Sequence, residues 1–175
     1  MSSVFNVAFK NELKSLNLQG VFPKELEWIP DSLGKLTWLT DLNLSGNRLE
    51  SLPDSIANLV NLMNLDVSAN QLVSLPESIG RLNSLEVLNI ENNQIEELPW
   101  TIGHCKSLIE LKADFNNLKA IPEAIGNLAN LKILSLHYNC LKGLPTTMAN
   151  MKSLVELDVH FNQLESIPES LCLVT

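Results

Sequence analysis

Apolar residues return along this chain on a fixed beat. Between Leu39 and Asn61 they stand at Leu39, Leu42, Leu44, Leu49, Leu52, Ile56 and Leu59, and the order repeats 23 residues later. Leu39, Leu62, Leu85, Leu108, Leu131 and Leu154 hold one column. Asparagine holds another at Asn47, Asn70, Asn93, Asn116, Asn139 and Asn162, and proline a third at Pro30, Pro53, Pro76, Pro99, Pro122, Pro145 and Pro168. Each unit reads L-x-x-L-x-L-x-x-N-x-L-x-x-L/I-P-x-x-I-x-x-L-x-x, with some substitution. A fixed period of about 20 to 30 residues marks a solenoid of stacked units, each packed on its neighbours alone.

Within a unit, the alternation around Leu42-Asn43-Leu44 predicts a short, half-buried strand. Stacked strands give a parallel sheet with leucines inward and polar side chains outward. Asn47 is expected to turn the chain and bond backbone groups that no strand pairs. Pro53 is expected at the first position of a short helix, and an acidic residue follows proline at Asp31, Asp54, Glu77, Glu123 and Glu169, favourable beside a helix N-terminus. Ile56 and Leu59 supply that helix's inner face. The small column Gly34, Ala57, Gly80, Gly103, Gly126 and Ala149 is expected to let successive helices pack closely. The fold class is therefore α/β: a leucine-rich-repeat solenoid of about seven repeats, a curved horseshoe arc with a parallel sheet on its concave face and short helices on its convex face.

Residues 1–12 read as a short N-terminal lead-in and 13–175 as the repeat domain, with an irregular first repeat over 13–38 and regular repeats from 39. In the first unit Leu13, Leu16 and Leu18 make the strand, Val21 stands where the asparagine is due, and three extra residues precede Leu26. Leu171, Leu173 and Val174 end the chain without a polar cap. The expectation is a fragment or short isoform, or an end covered by a partner, self-association included.

Bulk properties narrow the partners. A net charge of −8 argues against duplex nucleic acid and anionic membrane surfaces. No apolar run is long enough for a membrane span, and the opening Met-Ser-Ser-Val-Phe-Asn lacks the features of a secretory signal. Cys105 stands in a leucine column, Cys172 in the small column, and Cys140 after a ladder asparagine. An odd count without a C-x-x-C pair points to reduced thiols and a cytoplasmic setting. Cys172-Leu-Val-Thr fits a prenylation pattern only loosely, and the sequon at Asn43-Leu-Ser45 lies in a predicted strand.

Candidate chemistry falls on the concave face. Phe115, Tyr138 and Phe161 share a column that earlier units fill with Gly20, Gly46, Ala69 and Asn92. Strands about 4.8 Å apart bring the three rings into one ridge. Two readings stand: a packing ladder sealing the strand-to-turn edge, or a binding hot spot. Beside it run Asp41, Asp66, Glu91, Glu110, Asp114, Glu156 and Asp158, opposed by Lys112, an acidic lane suited to a basic partner or simply a solvated face. His137 and His160 share a column next to Asp114 and Asp158; the repeat dictates no fourth metal ligand, so polar concave residues are the expectation and no metal or cofactor is assigned. No P-loop, G-x-S-x-G or H-E-x-x-H occurs, and no catalytic constellation is gathered.

The segments LNLQG…EWIPDSLGKL (16–36), IEELPWTIGHCKSLIELKADFNNLKAIPEAIG (95–126) and LPTTMANMKSLVELDVHFNQLESIPESLC (144–172) resemble the plant intracellular Ras-group-related leucine-rich-repeat proteins. That resemblance implies a non-catalytic, cytosolic protein-interaction module or scaffold in signal transduction, with a small GTPase or its regulator as partner class. Members of that group carry a long region before the repeats and a Gly-Val-Tyr-Trp tail after further repeats. Neither is in this sequence, so a short or truncated member is expected. The alternative is a recognition fragment of a larger receptor or enzyme whose effector domain is absent.

Overall fold

A computed structural model describes residues 8, 10–20 and 26–172. Val21, Leu173 and Val174, most of the 1–12 lead-in and the side chain of Cys172 lie outside the described residues.

Seven three-residue strands form one parallel sheet in chain order: β1 Ser15–Asn17, β2 Asp41–Asn43, β3 Asn64–Asp66, β4 Val87–Asn89, β5 Glu110–Lys112, β6 Ile133–Ser135 and β7 Glu156–Asp158. Asp41 pairs with Asn64 and Asn64 with Val87, one 23-residue step each time, whereas Ser15 pairs with Asp41, a step longer by the three residues inserted before Leu26. The central leucine of each strand from β2 to β6 is buried and its flanking residues are mostly half-exposed, as a period of two requires.

Each strand is followed by a loop and a five-residue helix: η1 Asp31–Lys35, η2 Asp54–Asn58, η3 Glu77–Arg81, η4 Trp100–His104, η5 Glu123–Asn127 and η6 Thr146–Asn150. These are 3-10 helices; among the described residues the helix at Glu169–Cys172, α1, is the α-helical counterpart in the last unit. The prolines stand one residue earlier than the sequence suggests. Pro53 is the N-cap, extended at φ −71° and ψ 147°, and its carbonyl accepts from Ile56 N–H at 3.0 Å. A five-residue segment closes its turns by three-residue hydrogen bonds, and the fixed φ of proline suits the extended entry equally well.

The small column is read correctly. A Cβ on Gly103 would lie 2.3 Å from the Ala124 carbonyl oxygen, and one on Gly126 2.3 Å from that of Thr147. Without side chains there, η4 to η6 stack backbone on backbone.

The core is one continuous column of leucine and isoleucine from Leu16 to Met151. Cys105 belongs to it, fully buried, with its Sγ donating to the Ile79 carbonyl at 3.4 Å. Burial pushes that thiol up to about 11, so it acts as a core hydrophobe and not as a nucleophile.

Polar ladders stitch the repeats together. Asn93 Oδ1 accepts from Leu72 N–H at 2.9 Å in the preceding repeat, while its Nδ2 donates to the carbonyls of Val67, Ile90 and Glu91 at 3.1, 3.0 and 3.2 Å. Asn47, Asn70, Asn116, Asn139 and Asn162 repeat this pattern. A second ladder, which sequence reading passes over, runs along the strand entries: Asn61 to Thr37, Ser84 to Val60, Ser107 to Asn83 and Asn130 to Lys106, each side chain donating to a carbonyl of the preceding repeat. Asn43, in the formal sequon, ends β2 with its Oδ1 occupied by the Ser45 N–H and hydroxyl.

Candidate functional site

The residue before each ladder asparagine, and Gly20 at the same place in the first unit, is where the chain leaves the sheet, and it takes positive φ. The angles are 48° at Gly20, 65° at Gly46, 51° at Ala69, 54° at Asn92, 53° at Phe115, 52° at Tyr138 and 52° at Phe161. The turned backbone aims each N–H at the next repeat: Phe115 N–H donates to the His137 carbonyl at 3.1 Å, and Tyr138 N–H to that of His160 at 3.1 Å. Glycine takes this conformation freely and asparagine tolerates it, whereas a bulky side chain strains it by roughly 1–3 kcal/mol. Sequence reading missed this. The signal was there, because two glycines head the column that the aromatics continue.

The three rings form the expected ridge. Phe115 and Tyr138 stack at 4.6 Å and 12°, Tyr138 and Phe161 at 4.4 Å and 18°. They remain 44%, 45% and 62% exposed. Stacking offsets part of the strain, at about 0.5–1.5 kcal/mol per pair.

A line of ionisable groups flanks the ridge one residue back: Glu91, Asp114, His137 and His160 occupy successive repeats of one column. Asp114 departs from its expected place on the open lane. It is only 3% exposed, because its Oδ1 accepts from the Ser135 hydroxyl at 2.7 Å and the His137 N–H at 2.8 Å, which draw the short side chain down onto β6. The Glu91 carboxyl meets it. Burial, then the hydrogen bond with Asp114 and that group's charge, hold Glu91 above its ordinary 4.5, with Lys112 and Asn89 opposing.

His137 and His160 stack in parallel at 4.9 Å and 6°. His137 Nδ1 lies 2.9 Å from Asp114 Oδ1 and 3.6 Å from Asp158 Oδ2, near enough for an ion pair but not aligned for a hydrogen bond. His160 Nδ1 contacts Asp158 Oδ1 directly. Partial desolvation pushes Asp158 up, but the His160 backbone N–H, its ring and the histidine charges together hold the carboxyl below its ordinary range.

The remaining lane residues do not converge. Lys112 is bound to Glu110 at 2.8 Å, and that bond raises its ammonium above the usual range. Asp41 accepts from the Thr40 hydroxyl at 2.7 Å and, across to β3, from Asn64 Nδ2 at 2.6 Å, and Asp66 accepts from the Ser68 N–H of its own turn at 2.9 Å; both lie repeats away from the ridge. Glu156 is exposed at the start of β7. Among the described residues no group of three or more His, Cys, Asp or Glu side chains is arranged to hold a metal ion. Likewise, no described helix is long and apolar enough to cross a membrane.

Removing the contact between Glu91 and Asp114 has a predictable sign. A carboxyl whose pKa is raised in the folded state contributes stability below its unfolded value and loses it as pH rises through the folded one. Glu91→Gln is therefore expected to melt at a higher temperature than the parent at neutral pH. The advantage should fade below pH 4.5. Thermal melts of both proteins across that range check it.

Comparison with known proteins agrees with this architecture. A family model for a leucine-rich repeat region matches residues 67–172, and one for the Leucine Rich Repeat matches 38–59. Over 49 residues the chain is 47% identical to plant intracellular Ras-group-related LRR protein 4 of Oryza sativa subsp. japonica, and 45% identical to its namesake in Arabidopsis thaliana. These matches take in 28% of this chain but only 8% and 9% of those proteins. Among solved structures, the ectodomain of the Arabidopsis receptor kinase GASSHO1/SCHENGEN3, in complex with CASPARIAN STRIP INTEGRITY FACTOR 2, aligns with a TM-score of 0.78 at 39% identity, covering 85% of this chain and 19% of that one. The Arabidopsis receptor kinase HAESA, in complex with the peptide hormone IDA and the co-receptor SERK1, aligns at 0.76 and 37% identity, covering 87% and 26%. A Leptospira interrogans leucine-rich-repeat protein aligns at 0.66 and 29%, covering 86% and 44%. With seven stacked strands, an asparagine ladder from Asn47 to Asn162 and a family match over most of its length, the chain belongs to the leucine-rich-repeat family.

Proposed function

We propose that this chain is a non-catalytic recognition module that binds a protein partner across the concave face, anchored on Phe115, Tyr138 and Phe161. The observation that carries this reading is a three-ring stack held half-exposed on strained backbone. Clustered, preorganised aromatics are typical interface anchors because they supply large area with little side-chain entropy to lose. Glu91, Glu110, Asp158, His137 and His160 border the ridge and supply a polar rim, with Lys112 bridging to Glu110. Glu156, in the column of Glu110 and the repeat of Phe161, extends that rim, while Asp41 and Asp66 lie repeats away, where they tune encounter through charge rather than contact.

The solved neighbours support protein or peptide recognition, since two of them are complexes with such ligands. The similarity to the plant Ras-group-related proteins supports an intracellular signalling role, with a small GTPase or its regulator as the partner class.

Quantitative capture from plant cell extract tests the reading. The variant Phe115→Ala/Tyr138→Ala/Phe161→Ala is expected to lose its specific partners at least about tenfold while circular dichroism shows an unchanged fold, because Ala69 already occupies this column. Identical partner lists from both proteins would remove the ridge from the binding surface.

A further inference from the structure

Tyr138 is the middle ring of the ridge, with Phe115 and Phe161 in the repeats on either side of it. Phe115 stacks on it at 4.6 Å and 12°, Phe161 at 4.4 Å and 18°. A ring stacked from both sides offers neither face. What Tyr138 leaves exposed, 45% of its surface, is therefore chiefly ring edge and hydroxyl. The two phenylalanines lie nearly parallel to it, so their edges continue the same strip. His137 and His160 stand against these rings at steep angles, and so add no parallel face to the stack.

Resting on the concave-face reading above, we propose that the ridge receives one aromatic side chain of the partner protein, its π face laid across the aligned ring edges with Tyr138 at the centre. An aromatic ring is electron-poor at its edge and electron-rich on its face. Edges set side by side thus present a strip of partial positive charge, and a π face is its complement.

The same charge pattern ranks the other occupants. A cation seeks a ring face, and Tyr138 has none to give. A carboxylate suits the strip itself but must approach past Asp158 and Glu156 on a protein of net charge −8. An aliphatic side chain fills the space without gaining the edge-to-face attraction. The Tyr138 hydroxyl is the one hydrogen-bonding group among the three rings.

Nuclear magnetic resonance of the whole chain tests this, with N-acetyl-tryptophanamide, N-acetyl-leucinamide and N-acetyl-argininamide as probes at millimolar concentration. The chain has one tyrosine, so its ring protons report on the centre of the ridge without ambiguity. Protons held over an aromatic face move upfield. Tryptophanamide is expected to move the Tyr138 edge protons upfield along a saturating curve. The other two amides should leave them in place. Phe115→Ala/Phe161→Ala keeps the reporter and removes the flanking edges, and should weaken tryptophanamide binding at least about fivefold. Ala69 already takes this column's positive φ, so the backbone accommodates both changes.

An unchanged or downfield Tyr138 signal with tryptophanamide would overturn the proposal. So would an equal response to argininamide, or undiminished affinity in the double variant. Extract capture separates this proposal from the reading it rests on. No upfield shift, with partners still lost by the three-alanine ridge variant, would leave ridge recognition standing without an aromatic seated on its edges. Partners kept by that variant would remove the two together.

Discussion

Asn116→Ala is expected to lower the free energy of unfolding by about 3 kcal/mol, measured by urea denaturation followed by circular dichroism. Asn116 is 6% exposed and makes four bonds. Its Oδ1 accepts from Ile95 N–H at 3.0 Å, and its Nδ2 donates to the carbonyls of Ile90, Ala113 and Asp114 at 2.9, 3.2 and 3.2 Å. Alanine leaves a buried N–H and buried carbonyls without partners, each worth roughly 1–3 kcal/mol, although the sum is softened where carbonyls retain other bonds. The same change at Asn162, which is only partly buried, should cost less, because water can replace the lost amide. Equal losses at the two positions would mean that the ladder acts through something other than burial.

Leu111→Ala is expected to cost about 4 kcal/mol, within the roughly 2–5 kcal/mol of a fully buried leucine truncation. Leu111 is the central residue of β5, fully buried, with Leu88 and Leu134 as its register partners. The cavity opens in the middle of the array, where the surrounding repeats cannot collapse from either side. In a nearly one-dimensional stack a weakened central unit also loosens the coupling between the halves. The urea transition should therefore broaden and its slope fall as well as its midpoint. Leu157→Ala, in the partly buried β7, should cost less and leave the slope unchanged. A sharp, parallel transition for Leu111→Ala would show that the repeats unfold as one unit despite the defect.

Legibility differed between elements for physical reasons. The ladder asparagines could be assigned a backbone-bonding role from Asn47 alone, because a segment without strand partners must satisfy its N–H and C=O groups somewhere. Cys105 could be placed in the core because its column is otherwise leucine and methionine. Pro53 sits one residue outside the helix in which its sequence position places it, since a fixed φ near −65° suits both an extended N-cap and a first helical turn. Register alone places Asp114 on the open surface, yet it is buried. Its burial follows from Ser135 and the His137 N–H, which other repeats do not present to an aspartate at that place.

Periodicity alone carries the repeat, the parallel register, the leucine core and the close approach at the glycine column. In a solenoid nearly every contact is made with the neighbouring unit, so a position's partners lie one period away and periodicity is already a contact map. The period does not disclose that the aromatic column sits on left-handed backbone, that its three rings stack half-exposed, or that Asp114 is drawn under the surface by Ser135 and the His137 N–H. Those features depend on the turn the backbone makes on leaving each strand and on which donors reach a short side chain there. Two residues of the same type in the same column can differ in both.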